Sequence, residues 1–304
     1  MTRSMTPATS RAYAMLVLVM LLWAGNSIVG RAVRDSIPPF TLAFVRWTGA
    51  LLVLLPFAWR GLVRDAAVIK AGWRSLLLLG LVGVAAFNGF LYWGLHYTTA
   101  TNGLLLQAAI PALVLLCNLL FFRDRATAGQ MVGVILSTIG VILVVIKADL
   151  HILATLRLGF GDMLILCGVV AWAIYTSLLR IRPPIGPASF LFVTFLIGAL
   201  AMLPLAIGEG QEIARMDLRP GVLAAFAYVA LLPSLVAYFL FNVAVDEIGA
   251  ARAGQTIGLM PLFGAVLAAL LLGEPLHGYH LAGMLLIFLG IAITALIHPR
   301  PDLP

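Results

Sequence analysis

The chain has 304 residues, 62% hydrophobic and 10% charged, against roughly 45–50% and about 25% in an average soluble domain. A soluble globule is excluded, and at about 20 residues per crossing of a ~30 Å hydrocarbon core the apolar content suffices for roughly nine or ten membrane helices. The formal charge of +7, from 19 basic and 12 acidic residues, comes with no basic run or nucleic-acid-reading motif, so no nucleic-acid partner is expected and the charge is read as topology.

In chain order, apolar stretches lie near 12–30, 40–58, 75–95, 100–122, 129–146, 162–180, 188–207, 221–243, 253–272 and 279–297. Each is apolar nearly all round and lacks the period-2 alternation of a barrel strand, so each predicts a transmembrane helix. The first follows Arg3 and Arg11 as a signal peptide would, but its Trp23-to-Arg31 pattern recurs mid-chain, and it is read as a span. The fold expected is an all-α integral membrane protein of ten helices with no soluble domain between them.

Cytoplasmic flanks collect Lys and Arg. The N-terminus (Arg3, Arg11), the loops after even-numbered helices (Arg60, Arg64, Lys70, Arg74, Arg123, Arg125, Arg180, Arg182, Arg252) and Arg300 hold twelve. The odd-numbered loops hold six (Arg31, Arg34, Lys147, Arg157, Arg215, Arg219), and Arg46 is left inside a span. Both termini are therefore expected in the cytoplasm, with the chain multi-pass in the inner (plasma) membrane.

The chain also repeats itself at a spacing of 149 to 150 residues. Trp23 and Arg31 fall on Trp172 and Arg180; Ala100 meets Ala250, Pro111 meets Pro261, Asp124 meets Glu274, Gly133 meets Gly283 and Gly140 meets Gly290. Five helices per repeat, an odd number, predict that the second copy crosses the membrane upside down, as in many secondary transporters. The charges agree: Arg123-Asp124-Arg125 has lost its arginines in Gly273-Glu274-Pro275, and the +3 segment Arg60 to Arg74 corresponds to Gly208 to Gly221 with three acids and two bases. The expected plan is a tail over 1–11, a first repeat over 12–146, a connecting loop over 147–161, a second repeat over 162–297 and a tail over 298–304.

A Trp-bearing first helix (Leu22-Trp23-Ala24-Gly25-Asn26), an Arg early in the second (Phe44-Val45-Arg46-Trp47), a Pro-bearing fourth, an acidic corner and a Gly-x6-Gly helix, in order and twice over, resemble paired EamA-type modules of the drug/metabolite transporter superfamily. The resemblance covers Tyr13 to Ile297 and is nearest to bacterial amino-acid and metabolite exporters of the YddG type. One departure is Arg-Asp-Arg at the first corner, where Gly-Glu-Arg or Gly-Glu-Pro is usual. The resemblance implies helices one to four and six to nine around a midplane cavity, with five and ten packed outside.

Arg46 stands about 10 Å into the second span, counted from Pro39 at 1.5 Å per residue, where an arginine costs at least a few kcal/mol unless it meets water or a partner. It either receives a substrate carboxylate or is structural, snorkelling outward or bonding helix-end carbonyls. Trp23, Asn26, Asn88, Tyr92, Trp93, Gln107, Trp172, Tyr175, Tyr238, Asn242 and Gln255 are the other candidate substrate-binding residues. Asn88 and Tyr92 share a helix face, as do their repeat partners Tyr238 and Asn242 with Asn and Tyr exchanged; the alternative for all of them is interhelical packing or an interfacial belt, the belt being expected for Tyr97 and Trp59. Pro111 and Pro261, mid-span, are expected to kink their helices as hinges, and Gly133, Ser137, Gly140, Gly283 and Gly290 to form close-packing surfaces.

The acids and the five histidines fall in loops or at span ends, so no embedded proton carrier is expected and the protein reads as a facilitator or weakly coupled exporter. Gly159-Phe160-Gly161-Asp162 matches the Gly-x-Gly-Asp of intramembrane aspartyl proteases, but no second span aspartate accompanies it, and a helix cap explains Asp162 better. Cys117 and Cys167 are expected as buried thiols with no metal spacing, and no metal, cofactor or enzymatic activity is expected. The function expected is export of small neutral or zwitterionic metabolites, aromatic or other neutral amino acids, by alternating access in a monomer or homodimer. The alternatives are phosphorylated solutes or drugs on the same fold; phosphorylated ones would call for several basic residues inside the spans.

Overall fold

The structure, a computed structural model, describes residues 7–98, 100–107, 109–146, 149, 151, 159–272 and 278–296. Arg3, Lys147, Arg157, Glu274, His277, His298, Arg300, most of the connecting loop and the tail over 298–304 lie outside them. Within the described residues the helical spans are α1 Pro7–Ala32, α2 Pro39–Ala71, α3 Trp73–Tyr97, α4 (Ala100–Gln107 and Ile110–Phe122), α5 Ala128–Val145, α6 Phe160–Ile181, α7 Pro187–Gly208, α8 Pro220–Ile248, α9 (Ala250–Gln255 through Met260–Leu272) and α10 Gly278–Leu296. Proline opens α2, α7 and α8, where its missing N–H is one the helix start leaves unpaired anyway.

The largest departure from the sequence reading is α2. The expected loop over 60–74 is mostly helix, because nothing between Arg60 and Gly72 stops it. At 33 residues it is about 50 Å long, some 20 Å more than the hydrocarbon needs, so its Arg60, Arg64 and Lys70 end projects beyond the apolar layer.

Equivalent helices of the two halves pack antiparallel. Along α2 and α7, Phe40 meets Glu209, Gly61 meets Ser189 and Gly72 meets Pro183. Leu104 meets Gly264 and Val114 meets Gly254 between α4 and α9, and Gly133 meets Gly290 while Gly140 meets Gly283 between α5 and α10. In each pair one chain ascends as the other descends, so the second half is inverted relative to the first. Near the crossing point, repeat partners touch each other: Trp23 and Trp172 ring centroids are 5.0 Å apart, and Asn88 bonds Tyr238.

The α5–α10 seam depends on glycine. A methyl group on Gly133 would lie 2.0 Å from Thr294 Oγ1 and 2.6 Å from the Gly290 carbonyl, so only a bare Cα permits this approach. The two helices pack chiefly on each other, outside the helices around the centre. Cys117 is buried, but Cys167, expected to be buried, is exposed on the outer face of α6.

The prolines do more than kink. The α-helical ladder is interrupted at Ala109, whose amide bonds the Leu106 carbonyl in a tighter turn, and resumes with Pro111 in the first turn of the next segment. Pro261 likewise follows a 3-10 turn over Thr256–Leu259. Both α4 and α9 are thus two segments, with each proline at a helix start instead of the mid-helix site expected. A second symmetric irregularity had no counterpart in the sequence reading: α3 and α8 each pass through a π-helical segment, Gly80–Ala86 and Leu231–Val236. In α8, Pro233 has no N–H to give the ladder; in α3, the bare Gly83 admits the Tyr175 ring against the backbone.

Candidate functional site

The π segments leave carbonyls outside the regular helical ladder, and side chains take them, from neighbouring helices and, at Val84, from the same helix. The Pro233 carbonyl accepts from Trp23 Nε1 at 2.9 Å and Arg46 Nη2 at 3.3 Å. The Gly83 carbonyl accepts from the Tyr238 hydroxyl at 2.9 Å, and Val84 from Asn88 Nδ2 at 3.0 Å.

Arg46 is the centre of this network and is 1% exposed. Its Nη1 donates to Asn88 Oδ1 at 2.7 Å, Tyr92 Oη at 2.8 Å and Asn26 Oδ1 at 3.4 Å, and its Nε donates to Ser234 Oγ. The guanidinium carbon lies 4.5 Å from the Trp47 ring centroid. The outward-snorkelling alternative is therefore not what the side chain does. Each of these acceptors is neutral, and no ion pair reaches Arg46 among the described residues. A buried guanidinium satisfied in hydrogen bonds but not in charge favours an anion beside it.

A small cavity lies beside it. A central cavity of about 20 Å³ is lined by Trp23, Asn26, Arg46, Asn88, Gln107, Trp172 and Tyr238, with Ser27, Phe87, Leu91, Ile110, Ile257 and Met260. That holds about one water molecule, whereas small-molecule pockets run about 300–1,000 Å³, so this state is contracted. Both halves line it, and no carboxylate does among the described residues. Trp23, Trp172, Tyr238 and Phe241 form a contiguous ring cluster whose edge-to-face members follow the usual quadrupole preference.

The other candidates divide. Tyr92 completes the Arg46 network and donates to Asn26 at 2.7 Å. Its repeat counterpart is reproduced with residue types exchanged: Tyr175 donates to Asn242 at 3.1 Å. Trp93 lies elsewhere, against Phe40 and Phe160. Gln255 also lies elsewhere, donating to Gly290 and Ser137 at the α5–α10 seam. Asp162, expected as a helix cap residue, is the third residue of α6; it accepts from the Gly159 N–H and from Thr98. Trp59 and Tyr97 are exposed at span ends. The sequence reading missed Ser234, Pro233 and Trp47. The signal was present: Gly83 and Pro233, both helix-modifying, stand 150 residues apart.

The two faces differ. On the α1–α2 and α7–α8 loop face, a vestibule of about 560 Å³ is bounded by Phe40, Trp93, Met216 and Val222 with Arg34, Arg215, Glu212 and other charged groups. On the opposite face, Arg182–Asp246 at 2.7 Å and Arg180–Asp124 at 3.0 Å close the ends of α6, α8 and α4. Carboxylates also tie α2 to α7 at both faces. Glu209 accepts from the Phe40 and Thr41 amides and the Thr41 hydroxyl, and Asp65 from the Gly186 amide, each placing negative charge at a helix N-terminus.

The sequence matches the EamA-like transporter family over residues 10–146 and again over 159–296. It is 30% identical to an uncharacterized transporter of Archaeoglobus fulgidus over 94% of this chain and 97% of that protein. It is 26% identical to a probable amino-acid metabolite efflux pump of Salmonella typhimurium over 91% and 92%. A crystal structure aligning with TM-score 0.71 over 95% of this chain and 96% of its own, at 17% identity, has the same fold. Two matched halves, inverted about a shared cavity, make this chain a membrane transporter of the EamA-like family, not an enzyme.

Proposed function

We propose that the protein exports small solutes carrying one carboxylate and an apolar or aromatic body, foremost neutral amino acids, by alternating access through the central cavity. The observation that carries this reading is Arg46, a buried cation with only neutral partners at the edge of a cavity walled by aromatic rings. A substrate carboxylate would supply the missing charge, and the tryptophans and tyrosine would take the side chain. The efflux pump of Salmonella typhimurium lends support as a relative.

The domain plan proposed is two five-helix units over 12–146 and 162–297, joined by 147–161, with tails over 1–11 and 298–304. The charge count favours both termini in the cytoplasm of a cell whose inner membrane holds the protein as a monomer or homodimer; the vestibule then faces outward. A single cation at the cavity among the described residues argues against phosphorylated solutes, which carry charge near −2. Counterflow in proteoliposomes with unlabelled neutral amino acids, sugar phosphates and cationic drugs tests the reading. Amino acids are expected to compete best; preference for either other class would overturn it.

A further inference from the structure

Arg46 has no basic counterpart at 194–196, so its bonds are peculiar to the first half; the tryptophan contacts to the π segments break the repeat symmetry separately. Trp23 and Trp172 are repeat partners, as are Gly83 and Pro233. Trp23 Nε1 donates to the Pro233 carbonyl at 2.9 Å, so symmetry assigns Trp172 Nε1 to the Gly83 carbonyl. That carbonyl is instead taken by the Tyr238 hydroxyl, and Trp172 Nε1 is buried without a partner. Trp172 is 1% exposed, and a buried unpaired donor is costly. Tyr238 is the repeat partner of Asn88, whose amide is too short to mirror it; in the first half, Arg46 Nη2 joins Trp23 on the Pro233 carbonyl. The unpaired Trp172 indole is therefore a second point, beside the Arg46 network, at which the two halves differ. The Asn26–Tyr92 bond and its exchanged copy Tyr175–Asn242 show that the same four helices keep the symmetry a turn away.

In an inverted repeat, exchanging the conformations of the halves exchanges the open face. We infer that Trp23 and Trp172 are paired positioning residues that set which face is open. In the state described, with the vestibule side wider, Trp23 holds the α8 π segment at Pro233. In the opposite state Tyr238 leaves Gly83, Trp172 Nε1 takes that carbonyl on the α3 π segment, and Trp23 lets go of Pro233. Each tryptophan ties the first helix of its half to the π segment of the other, so the two bonds belong to opposite states.

The test needs no substrate. A cysteine introduced at Ile185, buried at the ion-paired face, reports opening of that face through its rate of thiol labelling in proteoliposomes. Trp23→Phe removes the bond of the present state and is expected to speed labelling about five-fold; Trp172→Phe removes the bond of the opposite state and is expected to slow it about five-fold, the factor for one net hydrogen bond. Replacing each indole by 3-benzothienylalanine, which exchanges N–H for sulfur at constant shape, should reproduce both shifts. Shifts in the same direction, or neither reaching two-fold in the benzothienyl proteins, would overturn the assignment; a merely structural tryptophan would not give opposite signs.

Discussion

Replacing Arg46 by methionine should separate stability from function. The guanidinium donates to Asn88, Tyr92, Asn26, Ser234 and Pro233. Without it, Tyr92 still donates to Asn26, Pro233 keeps Trp23 and Ser234 keeps the Val229 carbonyl. Only the Asn88 carbonyl oxygen loses its donor, a cost of about 1–3 kcal/mol. Against that stands relief of the desolvation of a buried cation without a counter-charge, itself several kcal/mol. The variant is therefore expected to unfold within about 2 kcal/mol of the parent. Substrate binding should fare differently: losing the only cation at the cavity among the described residues costs roughly 2–5 kcal/mol of a buried charge-assisted pair, at least about 30-fold in affinity. The assay is thermal unfolding in detergent paired with counterflow at several substrate concentrations. Destabilisation beyond about 4 kcal/mol, or transport with unchanged substrate dependence, would show that Arg46 serves the fold and not the substrate.

Three further outcomes follow from single contacts. Arg123 ends α4 in the left-handed region with φ 55°, where the resemblance puts glycine; Arg123→Gly should raise stability by about 0.5–1 kcal/mol, and a lower unfolding temperature would contradict this. Gly133→Val must push α10 away from α5 and should cost about 2–3 kcal/mol, whereas Gly208→Ala, with open space around it, should be neutral by the same melting assay; equal effects would count against the seam. With no carboxylate on the cavity wall among the described residues, substrate addition to proteoliposomes should drive no proton flux of fixed stoichiometry, which a pH-sensitive dye inside the vesicles would reveal.

Much of this architecture is legible in the sequence because membrane helices are written in composition and the duplication in residues that modify helices. The 149–150 spacing places Trp23 on Trp172 and Asn88 on Tyr238, and the structure brings those partners into contact. Arg46 is legible for the opposite reason, as a charge where charge is costly. What escapes is whatever depends on three-dimensional approach. The end of α2 hides because a charged helix projecting past lipid reads like a loop. The π segments hide because Gly83 and Pro233 act through carbonyls, which no side-chain pattern records. Trp93 and Gln255 share the chemistry of the cavity residues, yet helix rotation turns one toward the vestibule and the other into the α5–α10 seam.

Recognition by Arg46 and the aromatic cluster of a carboxylate joined to an apolar body is the proposal on which the others depend. Its most direct test is equilibrium binding to the purified protein, followed through the intrinsic fluorescence that Trp23 and Trp172 supply at the cavity wall, of an aromatic amino acid and of the same compound lacking its carboxyl group. The amino acid should bind at least about ten-fold more tightly than its amine, with the difference abolished in Arg46→Met. Equal binding of acid and amine by the parent protein would contradict the account.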